Sequence, residues 1–124
     1  LMDLNNLKKM NDTFGHEAGD MLLIDASHIM KETFDPETLY RIGGDEFVAV
    51  LTNESVERYE QLMEYFKDEI ARFNHSSAKR YEQELQIARG TALYDSSKDK
   101  SFADVFRRAD DLMYKNKQAQ KGTG

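Results

Sequence analysis

Cysteine is absent from the chain, which excludes disulfides and thiolate zinc sites. Proline occurs once and glycine seven times, too few for a long disordered linker. No apolar run approaches the ~20 residues of a membrane-spanning helix, and no signal peptide is visible, so no membrane contact is expected of this domain. The three histidines, His16, His28 and His75, lack the spacing of a metal motif, and each reads as structural or solvated. Positive charge is also short. Lysine and arginine number 17 against 23 acids, for a net charge of -6, which argues against broad electrostatic binding to nucleic acid or anionic lipid. An anionic substrate would therefore need metal ions or a local basic cluster. Together these features fit the cytoplasm.

What is present suffices for one soluble domain. The 124 residues allow a single sizeable core, and 40% hydrophobic with 32% charged residues is ordinary globular composition. Leu1-Met2-Asp3-Leu4 reads as the end of a strand. A short helix is expected from Asn5 to Thr13, closed by Gly15. A second is expected from about Gly19 to Phe34, with Leu22, Ala26, Ile29, Met30 and Thr33 at helical spacing, ended by Asp35-Pro36. Leu39 to Ile42 and Phe47 to Leu51 read as the arms of a hairpin turned tightly at Gly43-Gly44, where glycine reaches positive φ without steric cost. Asn53 and Ser55 offer caps for a third helix, whose stripe Val56, Tyr59, Met63, Phe66, Ile70 and Phe73 packs into the core. Glu84 to Tyr94 reads as a strand, bulged near Gly90. A last helix begins at Ser101 and turns Val105, Phe106, Ala109, Leu112 and Met113 inward, before a basic, polar tail from Lys115. The order strand, two helices, hairpin, helix, strand, helix predicts an α+β fold with helices on an antiparallel sheet.

The chemistry concentrates at Gly43-Gly44-Asp45-Glu46-Phe47. Adjacent acids beside a tight turn repel each other and give up β-propensity, a cost that a cation or polar substrate would relieve. A lone sequence of this kind reads better as an acidic, solvated turn. Asp3 changes the balance. If the first strand lies beside the hairpin, Asp3 faces Asp45 across the sheet, and carboxylates on neighbouring strand ends form a hard oxygen cage suited to Mg²⁺ that bridges a nucleotide's phosphates. Lys8 lies where an ammonium meets a phosphate, and the amides of Leu4 to Lys8 open a helix N-terminus. Asn11 and Asp20 carry the donors and acceptors that read a guanine edge. Taken singly, each has a plainer reading: Lys8 a surface lysine, Asn11 a helix terminus, Asp20 a first-turn acid.

Three separated stretches, Met2 to His16, Ala18-Gly19-Asp20 and Arg41 to Phe47, resemble the GGDEF family of diguanylate cyclases, as does Arg108 to Lys117 at the other end. The resemblance spans essentially the whole chain. It implies a palm-like βααββαβ domain, similar to nucleotide cyclases, that condenses two GTP into cyclic di-GMP between two facing subunits. It further implies Asp3, Asp45 and the Leu4 carbonyl as ligands of Mg²⁺ or Mn²⁺ and Glu46 as the carboxylate that helps activate the 3′-hydroxyl. Asn11 and Asp20 would be guanine readers, Leu23 would pack near the base, and Lys8, Lys117 and Lys121 would contact phosphate. Gly43 and Gly44 would leave room for the nucleotide on the hairpin backbone.

The chain departs from that family's pattern in four places. Asn5 stands where many members carry a second aspartate, and Lys121 where an arginine is common, keeping the charge without the bidentate fork. Phe34-Asp35-Pro36-Glu37 replaces an Arg-x-x-Asp product-inhibition motif, so no such site is expected. The resemblance also implies that residues 1–124 form a GGDEF domain lacking its N-terminal segment, with sensor or output domains linked to it. The strand around Arg89 differs from the usual Ser-Ile-Gly-Val-Ala, and a structural role is expected for Arg89. The alternative function is a GGDEF-like regulatory module that holds GTP without turnover; a purely structural module leaves the clustered acids unexplained.

Overall fold

The structure, a computed structural model, describes residues 1–52, 54–77 and 79–123; the cap expected at Asn53 lies outside them. In chain order the elements are β1 (Met2–Leu4), α1 (Leu7–Phe14), α2 (His16–Thr33), a 3₁₀ turn (Pro36–Thr38), β2 (Leu39–Arg41), β3 (Glu46–Ala49), α3 (Glu54–Glu57), α4 (Tyr59–Asn74), β4 (Ile87–Arg89) and α5 (Phe102–Thr123). The four strands form one antiparallel sheet in the order β2-β3-β1-β4. The fold is α+β and palm-like, as the sequence leads one to expect.

β1 is three residues long, yet it lies between β3 and β4 and is buried throughout. Side chains alternate across a strand. Met2 and Leu4 therefore join the core with Phe47 and Ile87, while Asp3 lies on the opposite face with its register partners Glu46 and Ala88. Leu22, Ala26, Ile29, Met30 and Thr33 of α2 are all buried as their spacing predicts. In α4 the stripe converges on Phe66, fully buried against the ring of Phe34 at 5.6 Å. Arg89 is half-buried, with its guanidinium 5.5 Å from the Phe66 ring centre. A cation over an aromatic face is attracted by the ring quadrupole, so Arg89 serves packing on the core face, away from the acids.

Several boundaries differ from those expected. α1 starts at Leu7, because Asn6 takes a left-handed conformation with φ 69°, which asparagine tolerates better than most residues. α2 starts at His16 rather than Gly19. Gly15, at φ 92°, closes α1 through a hydrogen bond from its N–H to the Asn11 carbonyl and opens α2 directly. The helix expected after residue 53 breaks at Arg58 into α3 and α4. Ser55 bonds locally to Thr52 instead of capping it.

The hairpin arms are shorter than expected, and neither Gly43 nor Gly44 has positive φ. The loop is held instead by Arg41, whose Nε donates to the Gly43 carbonyl (3.1 Å) and whose Nη2 donates to the Gly44 carbonyl (2.8 Å). β4 spans only Ile87–Arg89, and Ala88 is as buried as Ile87 because α5 covers the outer face. Gly90 marks the close approach of α5 rather than a bulge. A Cβ there would lie 2.1 Å from the Ala109 carbonyl oxygen. α5 runs on through the tail that begins at Lys115, and Leu112, expected inward, is exposed. An apolar groove of about 710 Å³, lined by Met2, Phe34, Met63, Phe66 and Phe106 among others, opens on the core face; none of the clustered acids lines it.

Candidate functional site

The antiparallel pairing of β1 with β3 sets Asp3 opposite Glu46, and the Leu4 N–H donates to the Asp45 carbonyl at 2.8 Å. Asp3, Asp45 and Glu46 thereby converge, with one carboxylate oxygen from each lying within 4.8 Å of the others. Asp3 is only 6% exposed. Its Oδ2 accepts a hydrogen bond from Lys117 Nζ of α5 at 3.1 Å, while its Oδ1 is buried with no partner among the described residues. Asp45 and Glu46 are half-buried.

Electrostatics follow from this crowding. Burial raises the Asp3 carboxyl above its ordinary range; the Lys117 hydrogen bond opposes that, and the Asp45 charge adds to it. Burial also raises Glu46, reinforced by the charges of Asp3, Asp45 and Asp110. Like charges close together disfavour ionisation, and an opposite charge restores it. Three carboxylates around a partnerless buried oxygen match the hard-oxygen preference of Mg²⁺ and Mn²⁺, so the donor set fits such an ion. The Leu4 side chain is buried in the core.

The other expected residues lie at differing depths. Gly43 and Gly44 are exposed in the loop before Asp45, and a Cβ on Gly44 would meet nothing within 4 Å. The space beside the acids is therefore open on that side. Asn11 is half-buried on α1, and its amide rests on the backbone of α2 at Gly19, where an added Cβ would sit 1.7 Å from Asn11 Oδ1. Asp20 follows Gly19 in α2 and is exposed. Leu23 packs half-buried against the core. Lys8 and Lys121 are exposed, on the first turn of α1 and the last turn of α5. Lys117, expected at a phosphate, here pairs with Asp3.

Sequence reasoning missed the roles of Gly19 and Gln120 and the pairing of Asn5. Gly19 was noted only as part of a motif, and its role as the seat of Asn11 depends on how two helices cross. Asn5 and Gln120, 115 residues apart, join through Asn5 Nδ2 donating to Gln120 Oε1 at 2.6 Å. The signal available was that Asn5 stands two residues after Asp3, at a position where many relatives carry an aspartate.

The family described as diguanylate cyclase, GGDEF domain, matches residues 1–123. A diguanylate cyclase of Vibrio cholerae is 32% identical over 118 residues, covering 94% of this chain and 36% of that relative. The chain thus spans about a third of that protein's length. The solved structure of the active GGEEF domain of a diguanylate cyclase from Vibrio cholerae superposes with a TM-score of 0.72 at 30% identity, covering 95% of this chain and 74% of the other. The GGDEF domain of DgcB from Caulobacter crescentus, solved in complex with c-di-GMP, shares the fold with a TM-score of 0.77 at 23% identity, over 95% of this chain and 70% of that one. Among the described residues no helix is long and apolar enough to cross a membrane.

Proposed function

The chain belongs to the GGDEF family of diguanylate cyclase domains, and from that premise we propose that it condenses two GTP into cyclic di-GMP, releasing two pyrophosphates. The observation that carries this reading is the convergence of Asp3, Asp45 and Glu46 around a buried oxygen of Asp3 that has no partner among the described residues. Asp3, Asp45 and the Leu4 carbonyl hold Mg²⁺ or Mn²⁺. Bound there, the ion would neutralise phosphate charge and lower the pKa of the attacking hydroxyl.

Glu46 accepts the proton of the 3′-hydroxyl. Burial and its acidic neighbours raise its pKa, which makes it a better base than an ordinary glutamate. The 3′-oxygen forms a bond to the α-phosphorus of the facing GTP as the bond from that phosphorus to the pyrophosphate oxygen breaks. A second such step closes the ring. Asn11 and Asp20 hold the guanine edge, with Leu23 near the base. Lys8, Lys117 and Lys121 meet the phosphates, and Gly43 and Gly44 leave the hairpin backbone open to the nucleotide. One cluster serves one GTP, so turnover takes a second subunit facing the first. The same reading makes residues 1–124 one cytoplasmic module of a longer signalling protein whose linked domains control that encounter.

The test is incubation of concentrated protein with GTP and Mg²⁺, with nucleotides separated by chromatography. Cyclic di-GMP from wild type and none from Glu46→Ala supports the reading. GTP-dependent thermal stabilisation without any product would replace it with a module that binds GTP and does not turn it over.

A further inference from the structure

α5 grips two residues of the β1 end, not one. Lys117 and Gln120 are one helical turn apart, and they meet Asp3 of β1 and Asn5 just beyond its end. The ladder with β4 continues through Asn5, whose N–H donates to the Gln86 carbonyl at 2.9 Å. Asn5 is 6% exposed, and its Oδ1, like Oδ1 of Asp3, is buried without a partner among the described residues.

The orientation of that amide is dictated from outside. Gln120 Nε2 donates to the Ile87 carbonyl at 3.2 Å. A carbonyl only accepts, so the nitrogen of Gln120 must face Ile87 and its oxygen must face Asn5. Asn5 then has to present its nitrogen to Gln120, which it does at 2.6 Å. Its oxygen is turned the other way.

We infer that Gln120 is a positioning residue that orients Asn5 so that the Asn5 amide oxygen joins Asp3 Oδ1 in facing the divalent cation. The inference rests on the metal-binding reading above. It concerns a neutral ligand oxygen that asparagine offers in only one of its two amide orientations, whereas an aspartate at this position would offer oxygen in both. Amide and carboxylate oxygens both suit Mg²⁺ and Mn²⁺, and groups that orient metal ligands commonly change affinity by about 10- to 100-fold.

The experiment is titration of the protein with Mn²⁺, following free Mn²⁺ by electron paramagnetic resonance, with circular dichroism to confirm that each variant is folded. Gln120→Leu and Asn5→Leu should each weaken Mn²⁺ binding by about 10-fold or more. The double variant Asn5→Asp/Gln120→Leu should recover most of the affinity, because a carboxylate needs no orienting partner. Binding by both single variants within about twofold of wild type overturns the inference, as does a Gln120→Leu loss that Asn5→Asp fails to rescue. Absence of Mn²⁺ binding by wild type itself would overturn the metal reading beneath it. Asp3→Ala, which removes a carboxylate of the cluster, locates the signal.

Discussion

Replacing Gly90 by alanine separates a site held by α5 from one that merely lies near it. The new Cβ would stand 2.1 Å from the Ala109 carbonyl oxygen, 2.2 Å from the Met113 nitrogen and 2.9 Å from the Leu112 carbonyl carbon. All three atoms are helix backbone, so no change of rotamer relieves the overlap. The shortest approach falls about 1.3 Å below the 3.4 Å at which ordinary van der Waals contact begins, and α5 must lift by about that much. The same helix carries Asn116, which accepts from the Arg89 N–H, together with Lys117 and Gln120. Overpacking of this kind costs about 1–3 kcal/mol. Loosening the Lys117–Asp3 pair adds to it, but by less than the full buried-pair loss, because Lys117 retains 26% exposure.

For a domain of this size such a loss lowers Tm by roughly 10 °C. Displacing site residues by about 1 Å costs on the order of 100-fold in turnover. The matched control is Gly44→Ala, where a Cβ meets nothing within 4 Å and φ is not positive. Its melting temperature should stay within the range of a neutral surface change, about 0.5 kcal/mol, while its GTP turnover falls because the nucleotide needs that space. Thermal melts by circular dichroism with chromatographic turnover on both variants decide the matter. A Gly90→Ala protein that melts within about 2 °C of wild type and turns over GTP normally would refute the claim that α5 fixes the site.

Glu46→Gln should abolish turnover yet raise metal-free stability at neutral pH. The native Glu46 binds its proton more tightly than an unfolded chain does, so its contribution to stability declines as pH rises from the ordinary glutamate range through its raised native value. The Gln variant's advantage in Tm should therefore be present at pH 7 to 8 and vanish in acid; an advantage that grows in acid contradicts the sign. Gly19→Ala should leave the fold intact but push the Asn11 amide aside. Selectivity for GTP over ATP should drop, measured by competition, while affinity for inorganic triphosphate holds; an equal loss of both would remove Asn11 from base recognition. Mn²⁺ at 100 times its Kd should stabilise wild type by about 2.7 kcal/mol, roughly 10 °C in Tm, with no such shift in Asp45→Ala.

How far the sequence could be read depended on how local each feature was. The stripe Leu22, Ala26, Ile29, Met30 reports a helix face, and the structure buries that face. β1 was legible despite its three residues because Met2 and Leu4 flank Asp3 in alternation. The Gly43-Gly44 pair suggested a positive-φ turn, but the loop is held by Arg41 reaching back to both carbonyls, and residue type alone does not show a side chain closing its own loop. Gly90 likewise looked like a strand irregularity. Its real constraint is the backbone of a helix that begins 12 residues later. Asn5 and Gln120 were invisible as a pair, since an amide–amide contact over 115 residues leaves no periodic trace.

The charge arrangement bears on why the acids were legible while their partners were not. Among the described residues Asp3, Asp45 and Glu46 meet a single ammonium, Lys117, bonded to one oxygen of Asp3. Asp110 adds its charge to the field at Glu46. One cation facing three clustered carboxylates leaves excess negative charge in a partly dehydrated site; burial first, and then that charge, raise the pKa values of Asp3 and Glu46. A cluster selected only for stability would favour balance or apolar replacement, since buried charge is stabilising only when well paired. The sequence advertises such a cluster because acids at a strand end break the local pattern. Its pairing with one lysine is a tertiary matter, settled by where α5 lies. Removing a carboxylate should therefore stabilise the metal-free protein while weakening its hold on a divalent ion, and the opposite signs of those two changes in Glu46→Gln distinguish a site built for a cation from an accident of surface charge.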